Sequence, residues 1–386
     1  MLLTDLHKNQ TLQKRLAAIV RHEERPVAAV CPETARHAAA QFAAILEKHD
    51  VQGRVFAAHK PTNCTALVAG LRETTGIDVA SLWELKSALR AGFEPTAIIA
   101  TGPKHSRFLA EFAKRPDITV VVDSVGELER FIACGAANPL LLRLTRSCLN
   151  MPTVTKTSRF GLDDQALDVA FSLLKTTPHQ LRGMAFHFDS QSIAERAEAV
   201  RKGAGYVLRA QKHGFSGATV LDIGGGYGND ATRLDDILSE PDVADRLRDY
   251  LIELWCEPGK AIFYHAGIVA AEVSDRCSRD QKNQLALHIH RNQLWFETIE
   301  PSHLPFCLDK NADEPTEEYV LNGNLCAEND VLHRAPIALS ATVKVGDVLV
   351  WPDVGAYRAN FSASAALGQP LAAQYIYENN ELKKAL

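Results

Sequence analysis

Val220-Leu221-Asp222-Ile223-Gly224-Gly225-Gly226-Tyr227-Gly228 joins an apolar run to three consecutive glycines. The run reads as a strand and the glycines as the turn that leaves it. Glycine admits positive φ and lets an anion come close to backbone N–H groups. A helix start just beyond would add partial positive charge. The stretch therefore reads as a grip for a phosphorylated ligand. S-adenosylmethionine enzymes carry a similar motif, but on the first strand of their domain, with an acidic ribose ligand about 20 residues on. Here several strand–helix units come first, and Asp235 and Asp236 follow too soon. A turn of purely structural role is the third reading.

Upstream of the glycines, short apolar runs alternate with helical patterns. Strands are expected at 27–31, 54–58, 78–80, 97–101, 119–123, 139–144, 182–188, 218–224 and 252–256. Helical patterns fall at 34–49, 64–74, 82–91, 106–115, 125–134 and 192–214. Such alternation implies parallel strands with crossover helices, and eight units suggest a (β/α)8 barrel. An open doubly wound sheet is the competing architecture, and the first strand could belong elsewhere. In a barrel, chemistry sits on the loops after the strands. Lys60, Asp78, Thr101, Arg143, His187, Gly224 and Glu257 fall mostly at or just after expected strand ends.

Past residue 266 helical periodicity fades, and strands are expected at 268–273, 284–290, 293–297, 319–321, 341–345, 347–351 and 374–377. The expected organisation is an N-terminal segment, 1–26, packing with a β domain at 266–386, around a barrel at 27–265.

The chain has 386 residues, 46% hydrophobic and 23% charged, which suits two globular domains. A net charge of -5 gives no sign of the basic patch that nucleic acid would need. No apolar run reaches the roughly 18 residues of a membrane span, and 1–26 does not read as a signal peptide. A cytoplasmic protein is expected. Eight cysteines with no CxxC pair argue for reduced thiols and against a zinc site, so no metal is expected.

Several side chains are chemically suggestive. Lys60 follows an apolar run and precedes Pro61; desolvation there would lower its pKa and make the amine nucleophilic. A solvated loop lysine is the plainer reading. His187 could stack on an aromatic ligand, or be a satisfied core histidine. Ser190 could bond a phosphate oxygen. Glu257, in Cys256-Glu257-Pro258-Gly259-Lys260, could keep a ring nitrogen protonated, or lie in a surface turn. Cys326 sits beside acidic groups that would raise its pKa, which suits a proton donor as well as a buried structural thiol. Tyr357, in Gly355-Ala356-Tyr357, offers a hydroxyl beside a tight turn.

The order of these pieces resembles the pyridoxal-phosphate enzymes of the alanine racemase-like barrel fold, and more closely the ornithine/diaminopimelate decarboxylase family. The likeness covers nearly the whole chain. It rests on Asp78-Val79-Ala80-Ser81 with Glu84-Leu85, Thr101-Gly102-Pro103-Lys104, Ser158-Arg159-Phe160-Gly161 and His187-Phe188-Asp189-Ser190-Gln191. Asp222-Ile223-Gly224-Gly225-Gly226, Glu257-Pro258-Gly259, Cys326 with Asp330, and Gly355-Ala356-Tyr357 complete it. The resemblance implies pyridoxal 5'-phosphate, an amino-acid substrate and release of carbon dioxide. Lys60 would hold the cofactor covalently, His187 would stack on its ring and Glu257 would pair with the ring nitrogen. Gly224, Gly225, Gly226, Ser190 and Tyr357 would bind its phosphate. Arg143 would lie near the ring hydroxyl, and Asp78, Gly259 and Lys260 complete the implied cofactor set. A homodimer with shared sites is also implied, so that Cys326 and Asp330 would come from the other subunit, with Glu328 and Tyr357 also facing substrate. Racemases of the same fold tend to use an arginine at the ring nitrogen, so Glu257 favours decarboxylation.

Departures from the family pattern bear on the substrate. Ala327 stands where basic amino-acid decarboxylases carry Asp or Glu, Asp189 replaces a usual glycine, and Lys260 replaces an arginine. His59 replaces a small apolar residue, and the stretch Ser364-Ala365-Ala366-Leu367-Gly368 lacks the family's asparagine pattern. The expected substrate is an unusual or conjugated amino acid, as in siderophore or antibiotic synthesis. A decarboxylase of plain diaminopimelate, ornithine or lysine, and a non-catalytic regulatory homologue, are the alternatives.

Overall fold

The computed structural model describes residues 6, 8–151, 159–188, 192–294, 304–308, 310, 313–357 and 368–385. The chain divides into two compact units. One comprises Arg36–Lys60 and Val68–Ile262; the other comprises Met1–Ala35, Pro61–Leu67 and Phe263–Leu386.

The first unit is a closed barrel of eight parallel strands. They are β2 (Gly53–Ala58), β3 (Gly76–Val79), β4 (Ile98–Ala100), β5 (Thr119–Val122), β6 (Leu140–Arg143), β7 (Leu181–Ala185), β8 (Val220–Asp222) and β9 (Glu253–Cys256). Closure comes from β9 pairing with β2, with Gly53 opposite Leu254 and Val55 opposite Cys256. Runs such as Val120-Val121-Val122 and Leu140-Leu141-Leu142 are buried throughout, as strands covered on both faces must be. Phe56, Ile99, Val121, Leu141, Ala185, Val220 and Trp255 fill the interior. The Phe56 and Trp255 rings lie 4.8 Å apart, and truncating either would cost about 3–5 kcal/mol.

The intervening helices begin where the sequence offers oxygen acceptors. Ser81 accepts the Glu84 N–H (3.1 Å), Ser124 the Glu127 N–H (3.1 Å) and Asp163 the Ala166 N–H (2.9 Å). Ser192 and Glu195 form a reciprocal capping box. Each cap contributes about 1 kcal/mol.

The second unit is built on a sheet ordered β14-β13-β11-β10-β1-β16-β17, with β15 joined to β10 and β12. Its strands are β1 (Val27–Val30), β10 (Gly267–Arg279), β11 (Lys282–Leu287), β12 (Phe306–Cys307), β13 (Thr316–Asn322), β14 (Ile337–Ser340), β15 (Val348–Trp351), β16 (Ala373–Glu378) and β17 (Glu381–Lys384). Strand alternation builds a core on each face. Val27, Ala29, Ile268, Ala270, Val348 and Val350 join one cluster; Ala28, Val269, Ala271, Leu349 and Trp351 join the other. The helix Gln10–Glu23 sends Leu12, Leu16 and Val20 into the first cluster.

Three expectations are corrected. Strand β1 pairs with β10 and β16, so the chain enters the barrel at Gly53 and not at residue 27. Residues 341–345 form a turn after β14, where Thr342 N–H bonds to Ser340 Oγ at 3.1 Å. The strand expected at 293–297 begins in a 3-10 turn, Arg291–Gln293, and 295–297 lie outside the described residues.

Candidate active site

Eight parallel neighbours bring their C-terminal ends to one rim. Lys60 follows β2, Asp78 is the penultimate residue of β3, Thr101 follows β4 and Arg143 ends β6. His187 follows β7, Gly224 follows β8 and Glu257 follows β9. Residues far apart in sequence thus meet because of register alone.

Three buried carboxyls dominate this rim. Asp78 accepts a 2.6 Å bond from the Thr101 hydroxyl. Burial, the largest cause, pushes it up to about 7, with Glu84 and Asp222 adding repulsion and Lys60 opposing. Asp222 is 1% exposed; burial raises it to about 6. Its Oδ1 accepts the Gly224 N–H at 2.8 Å, while Oδ2 is buried with no conventional donor. Burial, then repulsion from Asp222 and Asp78, raises Glu257 well above the carboxylate range.

His187 does not neutralise Glu257. Its Nδ1 accepts the Gly225 N–H at 2.9 Å and stands 4.0 Å from Glu257 Oε2. An accepting Nδ1 carries no proton, which puts the proton of the neutral ring on Nε2. The same bond changes the expectation for the glycines. The N–H groups of Gly224 and Gly225 are engaged by Asp222 and His187, so of the three only the Gly226 N–H is not engaged by a described residue. Gly224 has φ +64, and a Cβ there would stand 2.7 Å from His187 Nδ1.

Arg143 is held by Asp123 (3.4 Å) and stacks over Phe160 at 4.6 Å. Asp123 also accepts the Gly161 N–H at 3.2 Å, which explains why Arg159-Phe160-Gly161 belongs to the site pattern. Lys60 is exposed, one position beyond the last buried residue of its strand end, His59, as a solvated loop lysine would be. Its charge bears on Asp78 and Glu84. Gly259 and Lys260 start the short helix Lys260–Phe263, where Gly259 O accepts the Ile262 N–H at 3.1 Å. Ser190 lies outside the described residues.

In the other unit, Cys326, Ala327 and Glu328 are exposed on a loop, and Asp330 beneath them is 3% exposed. Asp330, expected to face substrate, turns both oxygens to backbone: Oδ1 accepts the Arg291 N–H and Oδ2 the Leu325 N–H, each at 2.8 Å. Its own carbonyl accepts the Gly323 N–H at 2.7 Å. A Cβ at Gly323 would come within 2.2 Å of Asp330 Oδ2, so glycine is required. Asp330 is thus a clamp for the Cys326 loop. Tyr357 has φ 59, and its N–H donates to the Pro61 carbonyl at 2.7 Å.

The family profile described as "Pyridoxal-dependent decarboxylase, pyridoxal binding domain" matches residues 35–264. The chain belongs to this family. It is a pyridoxal-phosphate-dependent amino-acid decarboxylase, a carboxy-lyase of the barrel fold. Diaminopimelate decarboxylase of Haemophilus influenzae is 24% identical over 331 residues, covering 80% of this chain and 78% of that protein. Uncharacterized protein y4yA of Sinorhizobium fredii is 23% identical over 406 residues, covering 91% and 87%. Among solved structures, arginine decarboxylase of Paramecium bursaria Chlorella virus superposes with a TM-score of 0.79 at 20% identity, covering 94% of this chain and all of that one.

The residues of this decarboxylase fit the cofactor. The rim offers an amine at Lys60, an imidazole at His187, a carboxyl at Glu257 that burial makes hold its proton more tightly, and a glycine loop that a Cβ would obstruct. Sequence reasoning missed Arg196, which is 1% exposed and donates to the carbonyls of Phe188, Ile223 and Gly225. Its one signal is its place in the first turn after Ser192, on the buried side of the helix Ile193–Lys212. No described helix is long and apolar enough to cross a membrane.

Proposed function

We propose that the chain removes carbon dioxide from an unusual or conjugated amino acid, using the rim residues as its cofactor site. The reading rests above all on the convergence of Lys60, His187 and Glu257 at one barrel end. Lys60 would hold the cofactor covalently through its amine. His187 presents its ring to one face of the cofactor, oriented by the Gly225 N–H. Glu257, whose burial makes it hold a proton more tightly than an ordinary carboxyl, would face the ring nitrogen and share a proton with it. Arg143, fixed by Asp123 and Phe160, faces the ring hydroxyl, and Asp78 lies nearby. The glycine loop, Ser190, Gly259 and Lys260 would receive the phosphate. Bound pyridoxal phosphate supplies an electron-accepting ring conjugated to the substrate α-carbon.

Cys326 Sγ returns a proton to that carbon, delivered from a second subunit on the Asp330 clamp, with Glu328 toward substrate; the working form is a homodimer, in the cytoplasm. Alanine at 327 removes the acidic side chain that would read a distal ammonium, which supports a substrate other than plain lysine or ornithine. A place in siderophore or antibiotic synthesis suits such chemistry. Mass spectrometry after incubation with free and N-acylated amino acids tests the reading. Loss of carbon dioxide from conjugates, with diaminopimelate, ornithine and lysine left intact, is expected. Vigorous turnover of diaminopimelate or ornithine refutes the substrate assignment.

A further inference from the structure

The cation behind the glycine loop is Arg196, on the helix Ile193–Lys212. One guanidinium nitrogen donates to the carbonyls of Phe188 (2.6 Å) and Gly225 (2.8 Å); the other donates to the carbonyl of Ile223 (3.3 Å). The guanidinium carbon lies 5.4 Å from the Tyr227 ring centroid. A buried arginine spending its donors on three carbonyls, two of them in one loop, fixes backbone orientation.

A trans peptide unit points its C=O and N–H in opposite directions. The Ile223 carbonyl shares its unit with the Gly224 N–H, which Asp222 Oδ1 receives at 2.8 Å. The next unit is held at its carbonyl by the Glu257 N–H (2.9 Å) and at its N–H by His187 Nδ1 (2.9 Å). The third unit joins the Gly225 carbonyl to the Gly226 N–H. Arg196 grips that carbonyl, so the N–H is turned to the side away from Arg196. Gly226 has φ +88, a conformation that glycine adopts without strain.

We propose that Arg196 is a positioning residue of the anion site: it sets the Gly225–Gly226 peptide so that its N–H faces the cofactor phosphate, and places a positive charge behind the loop. The Phe188 bond ties the same guanidinium to the segment that follows β7. This rests on the reading that the glycine loop takes the phosphate.

The test compares two probes on the full chain freed of cofactor: pyridoxal phosphate and pyridoxal, which lacks the phosphate. Absorbance titrations give both affinities for the wild type, Arg196→Met and Arg196→Lys. Arg196→Met is expected to weaken pyridoxal phosphate about tenfold to a hundredfold, the scale of a lost charged hydrogen bond, while pyridoxal changes less than about twofold. Arg196→Lys, which keeps the charge but not the fork, is expected to fall between, and it stands alone if the methionine variant does not fold. Equal weakening of both probes, or of neither, overturns the positioning role. A wild type that prefers neither probe overturns the phosphate reading itself.

Discussion

Asp78, Asp222 and Glu257 set the electrostatics of the rim, and all three hold protons more tightly in the fold than in the unfolded chain. The sign follows directly. Such carboxyls add stability below about pH 4, where both states are protonated, and that contribution is lost as pH rises through their folded values. For Asp78 the loss falls between about pH 4 and about pH 7 and is at most about 4 kcal/mol, since the charge is shared with neighbours. Asp78→Asn should therefore flatten the fall in thermal midpoint of cofactor-free protein across that window; an unchanged slope would show that Asp78 does not titrate there. At the Cys326 loop, Asp330→Asn replaces one acceptor by an N–H facing a backbone N–H. A loss of about 1–3 kcal/mol is expected, together with faster alkylation of Cys326 by iodoacetamide as the loop loosens. Unaltered stability and alkylation would leave Asp330 available for substrate. Motif order in the sequence singled out Lys60, His187 and Glu257, and the barrel register brings all three to one rim. Motif order could not show that Asp330 faces its own backbone, because spacing fixes neither side-chain direction nor partner.

Among the elements, the eight barrel strands were legible because each is a short, continuous apolar run followed by a helical period. All eight lie within a few residues of expectation. The β unit was less so. Residues 341–345 have strand-like composition, yet the ladder of β14 ends at Ser340, whose hydroxyl bonds turn the chain. Strand β1 reads like a barrel strand, and only pairing with β10 and β16 assigns it. The glycine loop is the element whose shape matters most to the cofactor. Gly224→Ala would place a methyl 2.7 Å from both His187 Nδ1 and the Phe186 carbonyl, at φ +64. Cofactor affinity should fall more than about tenfold, the scale of one strained, displaced contact. Titration of the purified variant measures it, and an affinity equal to wild type would mean that the loop yields freely.

For the whole molecule, family membership fixes the reaction class, while the sharing of sites between subunits follows from proposal. Mixing inactive Lys60→Ala and Cys326→Ala proteins under exchange conditions should restore about a quarter of wild-type activity if each site draws on two subunits, since half the dimers would be mixed and half their sites intact. No recovery despite proven exchange would confine both residues to one subunit's site. The central claim concerns the end of β2, where an exposed lysine bears on the buried carboxyl of Asp78. Its most direct measurement is borohydride reduction of the holoenzyme followed by peptide mapping. The account predicts a single pyridoxyl label on Lys60; a label on any other lysine, or none on a protein that carries the cofactor, would contradict it.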